Sequence, residues 1–254
     1  MTSNARLKAQ SRRLLTYGYV FLMFATLVYG VFYLLVLVLG LGDLIIIPQT
    51  GAGGILAGLL VSVLLYALLT ILQTGYCFMA LNIVRAGNAR IRDLFLGFRY
   101  HTGRLVLLSL FLSLIRYLCI LPPVYVISEL IFNGGKASLF GYTAGSVSAA
   151  ILITAASVLV SLLLYVAVYL PFSQSLFVFI DNQDFRAVKC LAESFRLMRG
   201  KRIRFFLLNL SFIGYWFLVL ISFGIANLCV KPYVEVTLAQ YYVELSGRRD
   251  PYGN

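Results

Sequence analysis

What most limits this chain is a set of long stretches without charge. Leu14 to Gly42 and Ala137 to Ile180 contain no Asp, Glu, Lys or Arg. A helix needs roughly 20 apolar residues to cross the hydrocarbon core, so runs of this length read as membrane spans. Composition agrees: 61% of the 254 residues are hydrophobic, 12% are charged and the mean hydropathy is +0.92. A soluble domain is nearer half apolar and a quarter charged. In such a domain the net charge of +12 would suggest nucleic acid, but in a membrane chain its meaning depends on where the basic residues fall.

The pattern predicts an all-α polytopic bundle of six spans, at about 14–41, 55–84, 105–133, 142–177, 205–223 and 226–245. They form one membrane domain, 14–246, between a basic N-terminus, 1–13, and a tail, 247–254. The first run is too long for the apolar core of a cleavable signal peptide, so it is expected to stay in place as a span. Pro122 and Pro123 should kink the third span, and the fourth is expected as one tilted helix bent at Pro171. The last apolar region is twice a span in length and divides at Gly224.

Six spans put the N-terminus, the 85–104 loop, the 181–204 loop and the tail on one side, with 18 of the 21 basic residues. Lys136 and Lys231 fall on the other side and Arg116 inside a span. The positive-inside rule makes the basic side cytoplasmic, with both termini there. A five-span alternative would put Arg248 and Arg249 outside, against that rule. The charge then signals orientation and contact with anionic headgroups, and nucleic acid is not an expected partner.

The two cytoplasmic loops resemble each other at an offset of 97 residues. Ile91, Leu94, Phe98, Arg99, Gly103 and Arg104 align with Val188, Leu191, Phe195, Arg196, Gly200 and Lys201. Apolar positions at i, i+3 and i+7 predict an amphipathic helix in each loop, lying at the membrane interface. Arg99, Arg104, Arg196, Arg199, Lys201 and Arg202 are the candidate contacts to anionic lipid.

Ionisable side chains within spans are costly, which makes Arg116, Glu129, Lys231 and Glu235 the candidate intramembrane polar site. Arg116 sits near mid-membrane. Lys231 and Glu235 are i, i+4 on span six and are expected to pair, with Glu129 at a similar depth fastening spans three and six together. Tyr241 and Tyr242 suggest an interface belt, with Glu244 wet beside them. The four cysteines are scattered without CxxC spacing and the single histidine, His101, has no ligating neighbours, so no metal, cofactor or disulfide framework is expected. No catalytic constellation occurs, and a non-enzymatic protein is expected.

The stretch Ser194-Phe195-Arg196-Leu197-Met198-Arg199-Gly200, followed by Leu210 to Gly214, Gly224-Ile225, Pro232-Tyr233, Tyr241-Tyr242 and Glu244-Leu245, resembles a bacterial membrane-protein family catalogued as domain of unknown function 975. Tyr215 with Trp216, and Val243 where an acid is frequent, depart from its pattern. In the N-terminal two thirds, the span pattern and the Asp93-Leu94-Phe95 and Gly97-Phe98 loop carry the likeness. The resemblance implies a multi-pass protein of the bacterial cytoplasmic membrane. A more distant similarity to the membrane domain of some glycerophosphodiester phosphodiesterases suggests a lipid context by association. The expected function is the handling or sensing of lipid or a small amphiphile, the alternative being an accessory scaffold whose basic loops bind partners or anionic lipid.

Overall fold

The computed structural model describes residues 3–16, 18–46, 51–87, 90–95, 102–132, 138–139, 142–143, 147–182 and 184–247. Arg99, the side chain of Glu129 and the tail from 248 onward lie outside the described residues. Ser3 starts the first helix, α1 (Asn4–Leu15), by accepting the Arg6 N–H at 3.3 Å. Helix α2 (Tyr19–Ile46) begins anew at Tyr19, so Leu14 and Leu15, expected in the first span, belong to α1 instead. Then come α3 (Gly51–Ala86), a 3-10 turn (Ile91–Phe95) and α4 (Thr102–Phe132), which continues through Pro122 and Pro123. A two-residue antiparallel pairing, Ser138–Leu139 with Tyr142–Thr143, precedes α5 (Val147–Leu164). All other regular structure among the described residues is helical.

Beyond α5 the helix changes register. An α-helix arriving at Pro171 would need its N–H for the carbonyl of Ala167, and proline has none to give. The chain widens into a π turn (Tyr165–Tyr169), where the Leu170 N–H donates to Tyr165 O, and then tightens into a 3-10 turn (Leu170–Phe172). The α-helical pattern is therefore interrupted over residues 165–172, around the Pro171 at which a bend is expected. Helix α6 (Ser175–Asp181), α7 (Ala187–Met198), α8 (Arg202–Leu210), α9 (Ile213–Ile221) and α10 (Asn227–Ser246) complete the chain.

Among the described residues, five helical stretches are long and apolar enough to cross a membrane: Tyr19–Val36, Val63–Ala86, Gly103–Ile127, Ser148–Asp181 and Arg202–Ile221. Helix α10 is not among them. It packs against α1, α2 and α3, and Val236, Thr237, Ala239 and Tyr241 along it are fully buried. Gly224, at φ +90°, supplies the left-handed turn between α9 and α10. The hydrophobic core gathers around α10, the second half of α3 and the start of α4. Leu34 and Val38 of α2, and Leu152 and Leu163 of α5, are left uncovered by protein, as a lipid-facing surface would be.

The basic loops depart from the expected pair of interfacial helices. In the first, the described residues form the 3-10 turn, and Leu94 is fully buried with its backbone against Gly75. A Cβ on Gly75 would lie 1.8 Å from Leu94 O, so this approach requires glycine. In the second loop α7 does form, with Ala187, Cys190, Ser194 and Met198 as its buried face and Val188 and Phe195 uncovered. Ser194 Oγ donates to Pro171 O at 2.8 Å, and the Phe195 ring lies 6.2 Å from that of Phe172. Each loop thus folds back onto the segment before it, and its two anchor points, Gly75 and Phe172, are themselves 97 residues apart.

Candidate functional site

Four helices and the π turn converge on a polar cluster inside the apolar bundle. Gln73 and Cys77 lie one turn apart on α3, and Lys231 and Glu235 one turn apart on α10. The Gln73 side-chain amide donates to Glu235 Oε1 at 2.6 Å, and Cys77 Sγ approaches Oε2 at 3.9 Å. A hydrogen bond to a charged group contributes about 1.5–3 kcal/mol, which offsets part of the cost of burying this carboxylate. Glu235 thus finds its hydrogen-bond partners on α3, while the Lys231 charge expected beside it acts on it from the next turn of α10.

Lys231 turns away to aromatic rings. Its Nζ lies 2.9 Å from the ring centre of Tyr29 on α2 and 5.2 Å from that of Tyr76 on α3. Tyr76 is fully buried, and its hydroxyl shares a hydrogen bond of 2.8 Å with Thr26 Oγ1. Arg116 on α4 repeats the arrangement: its guanidinium lies 5.7 Å from the centre of the Tyr169 ring and donates to the Tyr169 hydroxyl at 3.3 Å. Tyr169 stacks on Tyr165 at 5.0 Å, both carried by the π turn. A cation over a ring is stabilised by up to about 2 kcal/mol when desolvated. Arg116 and Lys231 are near enough to act on each other electrostatically, and Tyr29 feels both Arg116 and Glu235. The structure thus brings Arg116, Lys231 and Glu235 into one neighbourhood and adds Tyr29, Tyr169 and Gln73, which the sequence reading did not single out.

A second set of charges fixes the other end of α10. Arg85, at the end of α3, makes a bidentate pair with Asp181 at the end of α6, at 2.6 and 2.8 Å, and the Tyr242 hydroxyl donates to Asp181 Oδ2 at 2.9 Å. Arg204 on α8 pairs with Glu244 at 3.1 Å and bonds Asn4 on α1 at 3.3 Å. Tyr241 and Tyr242 are buried, so they form part of the core and not an interface belt, and Glu244 is paired and only partly exposed. The sequence did carry a signal for the first pair: Arg85 and Asp181 are the first charges after two long uncharged runs. On α1, Lys8 donates to Ser211 O at 2.8 Å over the Phe212 ring; burial, and then the Arg12 charge, lowers its pKa below the ordinary lysine value.

Of the expected lipid contacts, Arg104, Arg196 and Arg199 are exposed, and Lys201 and Arg202 are half-buried. Arg196 pairs with Glu193 at 2.6 Å, and Arg202 lies 4.4 Å from the centre of the Phe195 ring. A groove of about 400 Å³ opens between α6, α7 and the end of α10, lined in part by Asn182, Lys189, Glu193, Arg196 and Tyr242.

Comparison with curated proteins and with solved structures finds no match in either. The family model described as "Protein of unknown function (DUF975)" matches residues 2–249, and the chain belongs to that family.

Proposed function

We propose that this protein handles or senses an anionic lipid or small anionic amphiphile in the bacterial cytoplasmic membrane, without catalysing a reaction. The observation that carries this reading is the seating of Arg116 and Lys231, from different helices, on Tyr169 and Tyr29 within electrostatic reach of each other. Among the described residues of the cluster, Arg116 and Lys231 outnumber Glu235, whose charge acts on Lys231, and this net positive charge favours an anion.

In this reading α10 is the sixth crossing, enclosed by the others, and both termini lie on the cytoplasmic side. Support comes from Arg204, which contacts Asn4 near one terminus and Glu244 near the other, as an even number of crossings requires. Helix α7 lies along the interface with Val188 and Phe195 toward the acyl boundary, and Arg104, Arg196, Arg199, Lys201 and Arg202 meet anionic headgroups.

Native mass spectrometry of the gently extracted protein tests the proposal. Wild type should retain anionic lipid that Arg116→Leu loses by about tenfold, the equivalent of one charge-assisted contact. Equal retention by the two proteins would overturn it. The alternative, a scaffold acting through its basic loops, is favoured by the exposure of Arg196 on α7 and of Arg199 just beyond its end. It predicts the opposite pattern: neutralising Arg196, Arg199, Lys201 and Arg202 abolishes binding while Arg116→Leu does not.

A further inference from the structure

Taking the Arg116 cluster as the amphiphile site, we infer that residues 165–172 are a two-register joint through which surface helix α7 controls that site. Both ends of the joint are engaged. At one end Tyr169 lies under the Arg116 guanidinium and accepts its hydrogen bond at 3.3 Å. At the other, Pro171 O accepts from Ser194 Oγ of α7 at 2.8 Å, and Phe172 packs on Phe195 with ring centres 6.2 Å apart. The intramembrane arginine's partner and the docking point of an exposed helix therefore lie within one run of four residues, 169–172.

Between these ends the backbone is neither α nor fixed by a long run of one pattern. A π turn passes directly into a 3-10 turn, and a π turn differs from an α turn by one residue of register. Slipping the π turn to α would rotate residues 169–172 by about 100° relative to α5, since each residue turns a helix by that amount, while α6 and α7 stay packed on α3 and α4. Tyr169 would leave Arg116, and the carbonyl of Pro171 would leave Ser194. The two contacts are made or lost together, so both ends bias one equilibrium, which is the physical requirement for coupling.

Helix α7 supplies the input. Val188 is 63% and Phe195 43% exposed, while Arg196 and Arg199 flank them, a pattern that engages an anionic lipid surface. Its buried face, through Ser194, bears on the joint.

Hydrogen exchange on the full chain in nanodiscs of phosphatidylcholine, alone or mixed with phosphatidylglycerol, tests the coupling. Peptides covering 165–172 should change their exchange rate by about fivefold or more when phosphatidylglycerol is present, the lower end of ordinary coupling between sites. The response should vanish in Arg196→Gln/Arg199→Gln. It should shrink in Ser194→Ala, with the α7 peptides still responding. An unchanged rate in 165–172 while α7 responds overturns the inference, as does an α7 that ignores phosphatidylglycerol. Lipid retention by native mass spectrometry on the same samples reports the Arg116 site separately. Retention lost in Arg116→Leu with no response in the joint sinks the coupling alone; a responding joint with no Arg116-dependent retention sinks the site alone.

Discussion

Helices α5 and α10 show how little burial follows from hydropathy in a membrane protein. Within Ser148–Asp181, which holds α5, the most apolar 18-residue window has a mean hydropathy of 2.6, the highest of the five stretches, yet only 6% of that window is buried in the protein. Helix α10 carries Lys231, Glu235, Gln240 and Glu244 and is enclosed on nearly every side. In water the more apolar helix would be inside. In lipid the solvent is as apolar as a core, so the outer helix is free to be uniformly hydrophobic, and the polar helix needs protein partners on all faces.

That contrast makes graded predictions. Asp181→Ala should have the largest effect, because it leaves Arg85 and Tyr242 facing each other without the carboxylate that holds the end of α10. Losing one partner of such a buried pair costs about 3–5 kcal/mol, to be read as a lower melting temperature of the detergent-solubilised chain. Gly75→Ala should follow, at about 1–3 kcal/mol, through collision with Leu94 O; native-like stability would show that the first loop does not dock there. Gln73→Leu should cost about 1–3 kcal/mol by leaving the Glu235 carboxylate without its amide donor, and the same melting assay would detect it. Leu152→Ala, on a side chain 70% exposed in α5, should stay within about 0.5 kcal/mol of wild type. A large loss there would mean that α5 is covered by something besides lipid.

The two basic loops differ in the same instructive way. Their aligned Leu94 and Leu191 suggested equivalent interfacial helices, but Leu94 is sealed against α3 and Leu191 is half-buried on an exposed helix. Periodicity shows that one face is apolar; whether that face meets lipid or protein depends on what the neighbouring segment offers. Gly75 offers a backbone with no side chain, and the loop closes onto it. Likewise the i, i+4 spacing of Lys231 and Glu235 lets their charges act on each other, but the amide and the aromatic rings that they touch come from α3 and α2 and are not legible in that spacing.

By itself the sequence determined the membrane class, since long uncharged runs cannot be hydrated and must be helical to satisfy their backbone in lipid. It also marked Pro171, by its missing N–H, as a place where the helix is weakened, although the same lack at Pro122, Pro123 and Pro232 leaves α4 and α10 continuous. Only the tertiary structure decided which helix is enclosed, which side chains Arg116 and Lys231 rest on, and that Arg85, Asp181 and Tyr242 meet. Those outcomes depend on contacts between residues far apart in the chain. Because lipid and protein interiors are equally apolar, hydropathy carries no record of them.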